Sequence, residues 1–324
     1  MISSFIYRQV LGGNRLTKKI WGIVRRIVIN LKEDTPCVMQ VHGRELGMPL
    51  SHALPMYLND LPFYDRLPAR LSKFIRCKLG TIKCIDVGAN VGDTIAAFKE
   101  SVGVERNASE DTFLAVEPNP RFRRYLGINW KGDKSVIILP YICSSTDGAT
   151  KASINELNGT ANLTLEHVDS KDQDIFEKKT IDSIVQQFIA HGDFNLLKTD
   201  TDGHDFEVIA GAKGFIKKSL PFLYFEVDSF SNPNFIKDCL STLSYLREVG
   251  YSKIFVYDNF GSLIGLFQTS DVTIIKQLLF YMLTKKAYYY DFLLMRDSFV
   301  ADFYESEVEY FVTALKDDRL SQAA

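Results

Sequence analysis

The chain has 324 residues, 46% of them hydrophobic, and a formal net charge of -2 at pH 7. That is enough to bury a large core, as one large domain with additions or as two small ones, and the near-balance of charge excludes the broad basic face of a nucleic-acid binder. Five scattered cysteines (Cys37, Cys77, Cys84, Cys143 and Cys239), with no Cys-x-x-Cys pair, exclude a disulfide framework and a thiolate zinc site and point to a reducing cytoplasm.

Residues 1 to about 30 carry Arg8, Arg15, Lys18, Lys19, Arg25 and Arg26 without one acid, interleaved with Ile20, Trp21, Ile23, Val24, Ile27 and Val28. This basic amphipathic pattern suits either an anionic membrane surface, reached from the inner face, or packing on the chain's own body. No apolar run approaches the roughly 18 residues that span a bilayer, and the N-terminus lacks the apolar centre of a cleavable signal. From Gln40 to about Phe74, prolines at 49, 55, 62 and 68 exclude one long helix. His52, Tyr57 and Tyr64 in this arm are polar-tipped groups placed to close over a ligand or to pack on the core.

Lys83 to Val87 reads as a short apolar strand, breaking at Gly88-Ala89-Asn90-Val91-Gly92 into a helix from 93 to about 102, with Asp93 or Thr94 suited to cap it. Gly88 and Gly92 permit positive φ and a close approach to a ligand, the helix start offers unpaired amides, and Asp86 is placed to accept from a ligand's ammonium or hydroxyls. The spacing is Gly-x-x-x-Gly and not the Gly-x-Gly-x-x-Gly of dinucleotide binders. A second strand, Thr112–Val116, ends in Glu117-Pro118-Asn119-Pro120; an acid there is placed to accept from both ribose hydroxyls of an adenosine. A helix through Tyr125 and Trp130 follows, then a strand over 136–142 running into Cys143 and Ser144. The polar segment 149–179 reads as a β-excursion or a loop beside the pocket.

A helix over 181–188 leads to the strand Asn195–Thr199, which empties into Asp200, Asp202, His204, Asp205 and Glu207. Strand alternation would put Lys198, Asp200 and Asp202 on one side, where paired carboxylates form a base or a hard-cation site; Asp205 and Glu207 favour the next helix N-terminus. The Asp-Thr-Asp-Gly run is not an EF-hand, because its glycine comes too early and a strand precedes it. Then come a helix to about 218, a buried strand 222–228 carrying Glu226, a helix over 233–249, a hairpin over 254–257 and 263–266, and helical stretches around a last strand near 288–294. Strands alternating with helices imply a parallel sheet with its ligands beyond the strands' carboxyl ends.

In order and spacing, Asp86-Val87-Gly88-Ala89-Asn90-Val91-Gly92, Glu117-Pro118-Asn119, Leu197 to Gly203 and the Phe225-Glu226 strand end resemble the FkbM-type S-adenosylmethionine-dependent methyltransferases, over about residues 80 to 230. The resemblance implies a class I Rossmann-like α/β fold, with a mainly parallel seven-stranded sheet flanked by helices. It implies an N-terminal arm (1–75), a cofactor-binding domain (76–270) and a C-terminal α/β extension packing on the core (271–324). The first loop (Asp86, Gly88, Ala89, Asn90, Gly92) would hold the methionine part of the cofactor and Glu117, with Pro118 and Asn119, the ribose; Cys143 and Ser144 join the cofactor site. His52, Tyr57, Tyr64, Lys198 and Glu226 would meet the acceptor. The arm also resembles an extension in members associated with bacterial surface-polysaccharide genes, so O-methylation of a sugar hydroxyl is implied. Asp200, Asp202 or His204 would take the proton, with a divalent cation on Asp200 and Asp202 as a variant. Family members commonly have Glu where Asp202 stands and an aromatic or small residue where His204 stands. The competing classes are a scaffold on the same fold and a nicotinamide oxidoreductase, which gives the Asp200 cluster no role.

Overall fold

The computed structural model describes residues 2–31, 35–100, 110–157, 160–165, 174–230 and 232–322, without the side chains of 153–174 and 317–322. Residues 101–102 of the expected first-loop helix, and 158–159 and 166–173 of the polar segment, lie outside that description.

The basic N-terminal segment forms two helices, α1 (Ile2–Gly12) and α2 (Arg15–Leu31), not one. Asn14 starts the second, its Oδ1 accepting from the N–H groups of Leu16 and Thr17 at 3.1 and 3.0 Å. The arm then begins as an unforeseen hairpin, β1 (Pro36–Val41) and β2 (Arg44–Pro49), before α3 (Leu54–Asp60) and α4 (Leu67–Leu79). Its two-residue turn, His42-Gly43, has positive φ at both positions, 48° and 72°, the geometry that matches strand twist.

β3 (Lys83–Val87), α5 (Asp93–Glu100), β4 (Thr112–Val116), α6 (Pro120–Asn129) and β5 (Val136–Leu139) follow. Asp93 and Thr94 fall inside the first turn of α5. The strand expected over 136–142 breaks at Pro140, which has no N–H for the ladder. Its remainder, β6 (Ile142–Cys143), joins β7 (Gly148–Leu157), β8 (Thr160–Leu165) and β9 (Asp174–Lys179) in a small sheet ordered β6-β9-β7-β8, so the polar segment is a β-excursion. After α7 (Ile181–Gln187) come β10 (Leu196–Thr199), α8 (Asp205–Ala210), α9 (Lys213–Ser219), β11 (Phe222–Val227), α10 (Phe235–Val249), β12 (Lys253–Asp258), β13 (Leu263–Gln268), α11 (Val272–Leu283), β14 (Tyr290–Leu294) and α12 (Asp297–Gln322).

The main sheet runs β13-β12-β14-β11-β10-β3-β4-β5. Its β5, β4, β3, β10 and β11 are mutually parallel; β14 enters antiparallel between β11 and β12, and β13 adds an eighth, antiparallel edge strand. Successive residues serve opposite faces. Ile85, Val87, Leu114, Val116 and Leu197 join one core with Phe206, Val208 and Leu243, while Cys84, Phe113, Ala115 and Leu196 join the other with the arm's Leu46, Leu67 and Leu71 and with Phe303. Arg70 forks onto Glu307, Nε to Oε1 at 2.6 Å and Nη2 to Oε2 at 2.8 Å, and Tyr257 Oη donates to the same carboxylate at 2.8 Å. This pairing ties α4, β12 and α12 together on the arm's side of the sheet.

Candidate active site

The carboxyl ends of β3, β4, β10 and β11, the start of β6 and the arm enclose a cleft of about 330 Å³, within the range of small-ligand sites. Fourteen of the residues singled out from the sequence line it: His52, Tyr57, Tyr64, Gly88, Asn90, Glu117, Pro118, Asn119, Cys143, Lys198, Asp200, Asp202, His204 and Glu226. Asp86, Ala89, Gly92 and Ser144 do not.

The glycine loop shows why. Gly88 has φ 79°, and a Cβ there would stand 2.0 Å from the Asp200 carbonyl oxygen, so the space expected for a ligand is filled by the neighbouring loop. A Cβ on Gly92 would stand 2.1 Å from Trp130 Nε1; this glycine lets the loop lie on α6 and does not meet the cleft. Asn129 holds the same loop, donating from Nδ2 to the carbonyls of Val91 and Gly47, each at 2.9 Å. Ala89 is buried in the arm-side core, and Ser144 donates its N–H to the Lys179 carbonyl at 3.1 Å, behind the cleft wall.

Glu117 is the most firmly held acceptor in the cleft wall. Its Oε2 accepts from Asn90 N–H and its Oε1 from Asn119 N–H, both at 2.8 Å, which fixes the carboxylate at the cleft wall and leaves each oxygen a further lone pair. Burial pushes its pKa up to about 7, against the pull of those two amides and of Arg123. Asn119 also caps α6, accepting from Arg121 N–H. Phe122, Tyr141, Ile142 and Cys143 give the same end of the cleft an apolar lining. These features fit an adenosine: fixed acceptors for a diol beside an apolar slot for a base.

The far end is acidic. Register places Lys198 directly beside Asp86, and its ammonium lies 3.2 Å from Asp86 Oδ1 and 3.4 Å from Asp200 Oδ2. Asp86 therefore spends its charge on Lys198 inside the sheet, which corrects its expected role as acceptor from a ligand. Burial alone would lower the Lys198 pKa, but Asp86, Asp200 and Asp93 outweigh it and hold the ammonium charged. Alternation ends at Thr199. Asp202 sits in the left-handed region (φ 51°) yet still reaches the cleft, where burial, then Asp200, Asp205 and Asp228, push its pKa to about 7. Burial lowers the His204 pKa, so its imidazole is neutral at pH 7, and its Nε2 has no hydrogen-bond partner among the described residues. Asp205 instead accepts from the Thr199 hydroxyl and from Thr201 N–H, a structural role at the start of α8.

Glu226 faces Asp291 across the β11–β14 pair, and burial followed by Asp200 pushes both well above the carboxylate range, favouring the neutral acid. The sequence reading missed Asp291 and Tyr289, which only the insertion of β14 brings here. It also missed Asp93, which lines the cleft with its pKa pushed by burial to about 7, although an acid opening the helix after the glycine loop was a usable signal. Among the described residues no group of three or more His, Cys, Asp or Glu side chains is arranged to hold a metal ion.

No curated protein matches the chain. Among solved structures, a methyltransferase FkbM from Methylobacillus flagellatus is similar at 15% identity and a TM-score of 0.38, covering 53% of this chain and 39% of that one. An O-methyltransferase from Bacillus cereus in complex with SAH is similar at 8% identity over 71% of this chain and 81% of that one, TM-score 0.37. The corresponding figures for a SAM-dependent methyltransferase from Agrobacterium tumefaciens are 7%, 80%, 70% and 0.39. The methyltransferase FkbM domain model matches residues 86–253, just over half of the chain and the stretch that supplies the glycine loop, Glu117 and the Asp200 cluster. The chain belongs to the FkbM methyltransferase family.

Proposed function

We propose that this protein moves a methyl group from S-adenosylmethionine to a hydroxyl oxygen, and that the acceptor is a sugar hydroxyl of a bacterial surface polysaccharide or its precursor. One observation carries the cofactor reading: Glu117, pinned by two backbone amides, presents two free lone pairs beside the apolar slot of Phe122, Tyr141, Ile142 and Cys143. When bound, the cofactor supplies an electrophilic methyl on a sulfonium. Everything else falls to the chain. Glu117 would hold the ribose diol and Asp93 would supply negative charge toward the methionine ammonium, with Lys198 keeping Asp200 in place. The hydroxyl's proton passes to Asp200, Asp202 or His204 Nε2, all in the cleft wall; the Asp202 carboxyl is pushed up to about 7, and the His204 imidazole, its pKa lowered by burial, is neutral and has an open Nε2. Tyr57 and Tyr64 of the arm, their rings 5.2 Å apart, offer the face on which a sugar ring stacks.

The test is conversion of S-adenosylmethionine by the purified protein in the presence of a glycan extract, read with a methyl-sized mass gain on the glycan. Asp200→Asn, Asp202→Asn and His204→Ala should bind the cofactor within a few-fold of wild type. The variant that removes the base should lose about 10²–10⁴ in turnover. Near-normal turnover in all three would place the proton acceptor elsewhere, and activity abolished by a chelator and restored by Mg²⁺ would make the carboxylates cation ligands.

A further inference from the structure

α2 turns an apolar stripe outward. Leu16, Ile20, Ile23, Ile27 and Leu31 are each between 49% and 78% exposed, although all are large aliphatic side chains. At about 100° per residue they share about 80° of helix surface, and Arg15, Lys19 and Arg26 occupy the arc beside them. The remaining face is committed to the body. Val28 and Ile29 pack against the arm-side core, and Arg25 donates from Nε to the Leu50 carbonyl and from Nη2 to the Ser51 carbonyl, both at 2.8 Å, with its guanidinium over the Tyr7 ring. These contacts fix the helix's rotation, so the stripe cannot turn inward. Ile2 and Phe5 of α1 are exposed as well, and the Phe5 ring meets Trp21 edge-on at 5.5 Å.

We infer that α1 and α2 seat the protein on an anionic lipid surface, with the stripe in the acyl boundary and the basic arc at the headgroups. Charge decides the occupant: helices α1 and α2 contain no acidic residue, so an apolar face rimmed only by cations is complementary to an interface of apolar chains under negative headgroups. No described helix is long and apolar enough to cross a membrane, so the contact is with the surface. The dock also lies beside the cleft: Tyr7 Oη donates to the His52 carbonyl, and the His52 side chain lines the cleft wall.

Co-sedimentation of the whole protein tests this, using vesicles of phosphatidylcholine alone and of phosphatidylcholine with phosphatidylglycerol. Wild type should bind the anionic vesicles at least tenfold more tightly, and added salt should release it. Lys19→Glu with Arg26→Glu should remove that preference, since each basic group near the surface contributes roughly fivefold. Ile23→Asp, at a solvent-facing position, should lose binding to both vesicles while cofactor affinity, measured by calorimetry, stays unchanged. Equal binding to both vesicles, or binding to neither, would overturn the inference. So would a dimer in sedimentation velocity that Ile23→Asp converts to monomer, because a second copy would then cover the stripe.

Discussion

Replacing Asp202 by Asn should stabilise the ligand-free protein at high pH. The backbone there is left-handed, φ 51°, a conformation that Asn adopts readily, so the substitution changes charge with little conformational cost. Burial and the neighbouring Asp200, Asp205 and Asp228 raise the carboxyl from 3.8 to about 7. The folded state thus binds this proton more tightly than the unfolded state, and the Asp202 contribution to stability falls as pH rises from about 4 to 7 and then levels off. Asn mimics the protonated form. Its advantage over wild type is small at pH 4, grows through pH 7 and is constant above it. Three pKa units correspond to about 4 kcal/mol; for a side chain that also faces the open cleft, solvent screening leaves on the order of 1–2 kcal/mol. In thermal denaturation of the ligand-free protein, the variant's midpoint should exceed wild type by a few degrees at pH 8 and should converge with it toward pH 4.5. A midpoint difference that does not grow with pH would refute the electrostatic reading of this cleft.

Glu117→Gln should weaken S-adenosylmethionine and its demethylated product alike by at least tenfold in calorimetry, since both carry the same ribose and each charge-assisted bond is worth about 1.5–3 kcal/mol. A loss confined to the cationic cofactor would instead make Glu117 a charge partner. Cofactor affinity of the wild type should rise between pH 6 and 8 as Glu117, at about 7 without ligand, ionises; flat affinity across that range would count against it. Gly88→Ala should cost about 2–4 kcal/mol of stability, because positive φ and a collision with the Asp200 carbonyl act together. An unchanged melting midpoint would show that the loop accommodates a Cβ.

What was legible in the sequence is what short-range chemistry controls. A buried parallel strand is mostly apolar, and the polar residues at its carboxyl end lie at the sheet's ligand-facing edge, so the order of apolar runs and polar ends puts Gly88, Glu117, Asp200 and Glu226 at one rim. Pro140 was equally visible, but its effect was not: whether a proline merely ends a strand or hands the chain to a second sheet depends on what lies beside it, here β9. The His42-Gly43 hairpin was missed because a left-handed histidine leaves no mark in composition.

Only the tertiary structure decided which groups are spent on each other. Asp86 and Asp200 look alike in sequence, both following apolar runs into loops. The β3–β10 register puts Lys198 against Asp86 within the sheet, so one carboxylate is consumed by the fold and the other remains half in the cleft. Asp291 reaches Glu226 from 65 positions away because β14 inserts antiparallel beside β11. Likewise, the amphipathic N-terminal pattern showed two faces but not which face the body would take; Arg25, by bonding inward to the arm, settled that and left the aliphatic stripe outside. Local pattern specifies where a chemical group is available, whereas strand pairing and packing, which join residues far apart in the chain, fix which of those groups remain unpaired at the surface of a cleft.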